Sequence, residues 1–159
     1  MDGSAPAHPG VRFPPPLLFV FGLGAGWVLH RIYPLPLLGS SARALEVVVG
    51  WSSMLFAALL MAWAIVSFRR AHTAIIPNQP ATMLVLGGPY RFTRNPMYLG
   101  LVVLYLGVSL LINSIWTLLL LPLVLFILYT AVIRREERYL AAAFGSAYQD
   151  YQTRVRRWL

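Results

Sequence analysis

Apolar residues occupy this chain in long runs. Residues 45–68 (LEVVVGWSSMLFAALLMAWAIVSF) form one such run, with a single acid, Glu46, at its edge. A helix needs about 20 apolar residues to cross a hydrocarbon core about 30 Å thick, and this run supplies them. Residues 17–30 are shorter, but Ile32, Tyr33 and Leu35 continue the apolar character. Pro14, Pro15 and Pro16 stand where a helix tolerates proline, at or before its first turn, and Pro34 and Pro36 stop it. A first crossing near 15–33 is predicted. Residues 97–133 are apolar almost throughout and would make a single helix of about 55 Å, more than one bilayer. Asn113-Ser114 is the polar break within them, so two helices, 97–112 and 115–133, are predicted. The pattern describes an all-α polytopic membrane protein of four transmembrane helices, read as one domain over 1–159.

Two segments fall outside those runs. Residues 69–96 carry Pro77, Pro80, Gly87, Gly88, Pro89 and Pro96, which forbid one continuous helix. Ile75, Ile76, Met83, Leu84, Val85 and Leu86 predict that this stretch is nevertheless packed against something. In 134–159, Leu140, Phe144, Tyr148, Tyr151 and Val155 recur at helical spacing, which predicts cytoplasmic C-terminal amphipathic helices, divided at Gly145. Gly22 and Gly26 form a small-xxx-small pair suited to close helix approach; with no strand before them, a dinucleotide loop is not indicated. Ala42-Arg43-Ala44 has the form of a signal-peptide cleavage site but lies too far beyond the apolar stretch, behind two prolines and Arg31, so the first helix is expected to stay.

Composition sharpens this picture. With 58% hydrophobic residues, 11% charged and a mean hydropathy of +0.67, the chain is neither a soluble domain nor disordered. The net charge of +8 comes from thirteen basic residues that are all arginine. These arginines punctuate apolar runs, so they orient the chain in a bilayer and imply no nucleic-acid partner. With four crossings, Arg12, Arg69, Arg70, Arg91, Arg94, Arg134, Arg135, Arg138, Arg154, Arg156 and Arg157 share one side, and only Arg31 and Arg43 lie opposite. The positive-inside rule then puts both termini in the cytoplasm. The lack of lysine suggests a GC-rich bacterial genome, hence a bacterial inner membrane. Zero cysteines exclude disulfides and thiolate chemistry. His8, His30 and His72 share no ligand spacing, so no metal site is predicted.

Candidate chemistry gathers in two places. Arg91 and Arg94 flank Phe92-Thr93, framed by Gly87-Gly88-Pro89-Tyr90 and Asn95-Pro96-Met97-Tyr98. The pair reads either as a cytoplasmic membrane anchor or as a functional site: an anchor needs no such backbone-fixing frame, and arginine is also the residue that grips a carboxylate or phosphate at two points. Glu136 and Glu137 lie within Arg134-Arg135-Glu136-Glu137-Arg138. Glu136 falls on the apolar stripe at four residues before Leu140, where a carboxylate needs a cationic partner: an arginine of the 91–94 pair or a bound cation.

At these residues the chain resembles a known family. Gly88-Pro89-Tyr90-x-x-x-Arg94-Asn95-Pro96-x-Tyr98-x-Gly100 is similar to the G-x-Y-x-x-x-R-H-P-x-Y-x-G motif of isoprenylcysteine carboxyl methyltransferases and related phospholipid-methyltransferase-like membrane enzymes. Glu136-Glu137-x-x-Leu140-x-x-x-Phe144-Gly145-x-x-Tyr148-x-x-Tyr151 resembles that family's C-terminal signature. The resemblance implies S-adenosylmethionine as cofactor, bound by the half of the chain over about 77–158. It implies Gly88, Tyr90, Arg94, Asn95, Pro96, Tyr98, Glu136, Glu137 and Tyr148 as cofactor-binding positions, with Tyr151 supporting. Arg94, Glu136 and Glu137 are implied as the catalytic residues. Asn95 and Thr82 stand where the family often has histidines.

Methyl transfer is an in-line displacement in which positioning and electrostatics carry most of the rate. Arg94 is expected to orient a carboxylate- or phosphate-bearing acceptor and the glutamates to hold cationic parts of the cofactor, with residues 69–88 as a lid. The expected acceptor is hydrophobic or lipid-like, met at the cytoplasmic membrane face, with carboxyl O-methylation favoured. The alternatives are amine methylation of a phospholipid, a nicotinamide-dependent steroid-reductase type of enzyme, and a non-enzymatic structural or transport subunit.

Overall fold

The computed structural model describes residues 13–71 and 83–158, all helical or irregular. Five α-helices follow in order: α1 (Pro15–Ile32), α2 (Arg43–Arg70), α3 (Pro96–Ile112), α4 (Ile115–Leu128) and α5 (Arg134–Arg154). Short 3-10 turns occupy Ser40–Ala42 and Gly88–Arg91, and a π-turn over Tyr129–Ile133 joins α4 to α5. The predicted helical segments correspond to α1 to α4, with one correction. The helix that begins at Ile115 does not stop near residue 133 but runs on through the π-turn into α5. Arg134-Arg135-Glu136-Glu137-Arg138 is polar yet made of good helix formers, so polarity alone does not end the helix. Pro15–Ile32, Arg43–Arg70 and Ile115–Arg154 are long and apolar enough to cross a membrane, while Pro96–Ile112 is apolar but has 17 residues.

The described chain folds as two compact units interleaved along the sequence. One contains α1, the first part of α2, most of α3 and all of α4. Pro15 opens α1 after an extended Pro14, as the fixed proline φ favours. Packing in this unit relies on small residues. A Cβ on Gly22 would meet Val124 and Tyr105, and one on Gly26 would lie 2.7–2.9 Å from Thr117, including its backbone. Gly50 and Gly107 likewise admit each other's carbonyl oxygen. In a lipid environment, where the solvent is as apolar as the side chains, such close approach is what drives helix association. Leu17, Phe21, Trp27, Trp51, Leu55 and Leu59 remain exposed, as lipid-facing residues do.

Polar groups of this unit are spent largely on backbone. Tyr105 donates its hydroxyl to the Thr117 carbonyl at 2.7 Å, and Ser109 donates to the Tyr105 carbonyl at 2.8 Å. Asn113, at φ 53°, ends α3 in the left-handed conformation that asparagine tolerates. Its Oδ1 accepts from the Leu37 and Leu38 amides at 2.7 and 3.1 Å, and its Nδ2 donates to the Leu38 carbonyl at 3.1 Å. The polar break at 113–114 is therefore a clamp for the loop after α1.

Among the described residues, the second unit includes 60–71, 83–97 and 129–158. Ala64, Val85 and Tyr90 form its buried cluster, with Phe68, Ala71 and Met97 packed around them. Gly88, at φ 62°, lies so close to α2 that a Cβ would collide with the Ser67 Oγ. Gly145 has φ 51° and ψ −127°, which breaks α5 into two helical pieces, as the stripe predicts. After Tyr151 the chain leaves the helix at an extended Val155 and turns back.

Candidate functional site

The site lies in this second unit and is built from three stretches: residues 90–95, the first turn of α5, and residues 148–157. Arg94 precedes Pro96, whose buried ring starts α3 and holds the preceding turn in place. The C-terminal segment is sewn to that turn. The Arg94 amide donates to the Arg156 carbonyl at 2.9 Å, and the Thr93 hydroxyl and Asn95 Nδ2 both donate to the Arg157 carbonyl at 3.0 Å. Thr93 Oγ1 also accepts from the Asn95 amide at 3.2 Å. Asn95, where the family often has histidine, thus has a backbone-holding task.

Three charges meet there. Arg157 grips Glu137 in a two-point fork, Nε to Oε1 at 2.9 Å and Nη2 to Oε2 at 2.8 Å. Arg94 Nη1 lies 3.1 Å from the same Oε1. That contact has ion-pair distance but not hydrogen-bond direction: Arg94 Nε and Nη1 are buried and make no hydrogen bond. The Arg94 and Glu137 side chains are 13% and 15% exposed, and that of Arg157 is 33%. The Arg157 guanidinium also lies over the Tyr129 ring, 5.0 Å from its centroid. Its hydrogen bonds to Glu137 raise its pKa, against a smaller opposing effect of burial.

Tyrosines close the site. Tyr151 donates its hydroxyl to the Tyr90 carbonyl at 2.7 Å, and the Tyr148 and Tyr151 rings lie 6.2 Å apart. Burial pushes the Tyr90 hydroxyl far above its ordinary range, and the neighbouring Tyr151 and the charge of Glu136 add to that. Burial also raises Tyr151, with Tyr148 adding and Arg94 opposing. Tyr148 is raised by burial and by Glu137, while Arg94 and Gln152 hydrogen-bond its hydroxyl and pull the other way. All three hydroxyls stay protonated near neutral pH.

The structure therefore brings together Arg94, Glu137 and Tyr148, places Tyr90 against Tyr151, and puts Glu136 within electrostatic reach of Tyr90. Gly88 and Pro96 serve the backbone, and Tyr98 sits half-buried in the first turn of α3. Thr82 and most of the expected lid lie outside the described residues. Sequence reasoning did not select Arg157 as a site residue, having read it only as an orienting charge. The signal for it was weak: a buried carboxylate at 137 needs a cation, but nothing along the chain says which arginine turns back to it.

Comparison with known proteins places most of the chain in a family. The phospholipid methyltransferase family matches residues 45–147. Over 73 residues, 46% of this chain and 31% of the relative, it is 36% identical to the protein-S-isoprenylcysteine O-methyltransferase of Schizosaccharomyces pombe. Over 80 residues, 50% of this chain and 37% of the relative, it is 34% identical to the cobalt-zinc-cadmium resistance protein CzcN of Cupriavidus metallidurans. The chain thus spans about a third of the length of the curated relatives it matches. No solved structure matches it. The match across most of the chain, over a set of long apolar helices, identifies this protein as a member of the phospholipid methyltransferase family.

Proposed function

We propose that this protein is an S-adenosylmethionine-dependent methyltransferase that methylates a carboxylate on a hydrophobic or lipid-like acceptor at the cytoplasmic membrane face. The observation that carries this reading is the guanidinium of Arg94, whose buried Nε and Nη1 make no hydrogen bond although they lie beside a carboxylate. Buried polar groups in native proteins are satisfied, and a guanidinium in that condition suits an anionic ligand. The residues also fit the cofactor, because Glu136 provides negative charge for its cationic parts and the buried Arg94 donors without hydrogen bonds suit its carboxylate. When bound, S-adenosylmethionine supplies an electrophilic methyl on a sulfonium.

Within that chemistry the chain's own residues position and polarise. Arg94 holds a carboxylate, Tyr90, Tyr148 and Tyr151 surround it as neutral phenols, and Glu136 faces positive charge. Glu137 is engaged by two arginines, which makes it poorly suited to remove a proton. A carboxylate acceptor needs no base, so the arrangement favours O-methylation. The family's own description supports a second reading, amine methylation of a phospholipid. That reaction requires a proton acceptor, a role Glu136 would have to fill. The proposed membrane arrangement has four crossings, α1 to α4, with both termini cytoplasmic in a bacterial inner membrane, as the arginine distribution indicates.

The test is a methyl-transfer assay on the purified full chain with labelled S-adenosylmethionine and two acceptors, an S-prenylated cysteine with a free carboxylate and phosphatidylethanolamine. Label is expected in a base-labile ester of the first. Label in the phospholipid amine alone would establish the second reading, and label in neither would remove both acceptor assignments.

A further inference from the structure

Arg157 makes both of the side-chain hydrogen bonds that Glu137 accepts from arginine, while Arg94, at ion-pair distance from the same oxygen, makes none to it. We propose that Arg157 is a positioning residue: by holding the Glu137 carboxylate in a two-point grip, it turns that carboxylate out of hydrogen-bonding direction to Arg94, leaving the two at ion-pair distance only, and keeps the Arg94 Nε and Nη1 donors available to a carboxylate ligand. The inference rests on the reading of Arg94 as the anion-holding residue.

The geometry supports it from several directions. A fork-to-fork arginine–carboxylate pair uses one face of each group, so Glu137 has its best acceptor directions turned toward Arg157. Arg157 is fixed in that pose independently of Glu137. Its carbonyl is held by Thr93 and Asn95, the preceding carbonyl by the Arg94 amide, and its guanidinium rests over Tyr129. The turn that presents Arg94 therefore also holds the residue that competes with Arg94 for Glu137. The Arg94 Nε and Nη1 donors that make no hydrogen bond would be satisfied by one anionic ligand. Without Arg157, a rotamer change in Glu137 would suffice for a direct pair with Arg94, and the Arg94 donors would be satisfied internally. The carboxylate ligand has two sources, the amino-acid end of the cofactor and the acceptor.

The experiment uses the full chain in detergent. Arg157→Met keeps an apolar stem over Tyr129 while removing the fork. Binding of S-adenosylmethionine and of its decarboxylated analogue is measured calorimetrically, and KM and kcat are measured with the S-prenylated cysteine. Arg157→Met is expected to weaken the carboxylate-bearing ligand about tenfold or more, with KM moving more than kcat. Adding Glu137→Gln is expected to recover most of that loss, because a neutral amide competes weakly for Arg94. A loss confined to S-adenosylmethionine and absent from the decarboxylated analogue assigns the carboxylate to the cofactor. A loss confined to the acceptor KM assigns it to the acceptor.

A double variant no better than Arg157→Met overturns the proposal, even where Arg94→Ala abolishes binding, since that is the result for an arginine that only stabilises the fold. If Arg94→Ala leaves both ligands' affinities unchanged, the reading of Arg94 itself fails and the proposal falls with it. Should Arg157→Met not fold, Arg157→Lys keeps the charge without the fork. A smaller loss, again relieved by Glu137→Gln, is expected, and an unrelieved loss overturns the proposal.

Discussion

Both units bury a carboxylate beside an arginine, and they use the pair differently. Glu46 is fully buried in the first turn of α2, where negative charge complements the helix dipole, and it pairs with Arg43 from the same turn at 3.1 Å. The other arm of Arg43 donates to the Leu111 carbonyl at 3.0 Å. That pair is local in sequence and serves helix ends. Glu137 instead meets Arg94 and Arg157, from segments on either side of it in the chain, and the meeting leaves two Arg94 nitrogens without hydrogen bonds. The first pair sets one arginine against one carboxylate and leaves only Glu46 Oε1 without a hydrogen bond. The second sets two guanidinium groups on one carboxylate and leaves two donors unpaired, which makes it the candidate for anion binding.

The contrast is most sharply tested at the arginines. Arg94→Ala is expected to lower methyl transfer about 100- to 1000-fold, as for loss of a donor acting on the reacting group. Arg43→Ala should change it less than about threefold, the scale of a partly exposed ion pair. Equal losses, measured as initial rates of label transfer, would erase the distinction. Next in size, Glu137→Ala leaves two arginines facing each other and should cost about 3 kcal/mol in denaturant unfolding. Glu46→Gln keeps the shape and an acceptor and should cost about 1 kcal/mol.

Packing separates the units in a third way. Gly26→Val would drive a side chain into the Thr117 backbone, which cannot yield as a flexible side chain can, and should cost about 1–3 kcal/mol of stability. Gly87, at φ −93° with open space around its Cβ position, should accept alanine within about 0.5 kcal/mol. Thermal unfolding of the two variants side by side checks this. Last, the raised pKa values of Tyr90, Tyr148 and Tyr151 set an alkaline limit for the site unit. In the unfolded chain these phenols ionise near 10.0, whereas in the fold they remain protonated above it. Their contribution is fully present below that pH and is lost as pH rises beyond it. Loss of near-ultraviolet circular dichroism should begin above about pH 10, and Tyr90→Phe should move the onset upward.

How far the sequence could be read depends on the range of each interaction. The helices were legible because apolar run length and proline placement act locally: Pro15 opens α1, Asn113 closes α3, and Gly145 breaks α5. The extension of the helix past residue 133 was not legible, because a polar segment of good helix formers and the π-turn at Tyr129–Ile133 leave no boundary signal. Among candidate residues, Arg94 was readable from its framing by glycine and proline. The stripe through Leu140 and Phe144 pointed to Glu136 alone, yet Glu137 is the acid held by two arginines, because Arg157 reaches it from beyond the helix end.

By itself, then, the sequence determined the helical elements, the membrane-suited composition and the two motif segments that carry the chemistry, since each depends on neighbours within a few turns. Only the tertiary structure decided which charges meet. Arg157 reaches Glu137 because an extended Val155 turns the chain and Thr93 and Asn95 catch its backbone. Those contacts span |i−j| of 20 to 64, over which sequence spacing imposes no geometry and packing alone selects the partner.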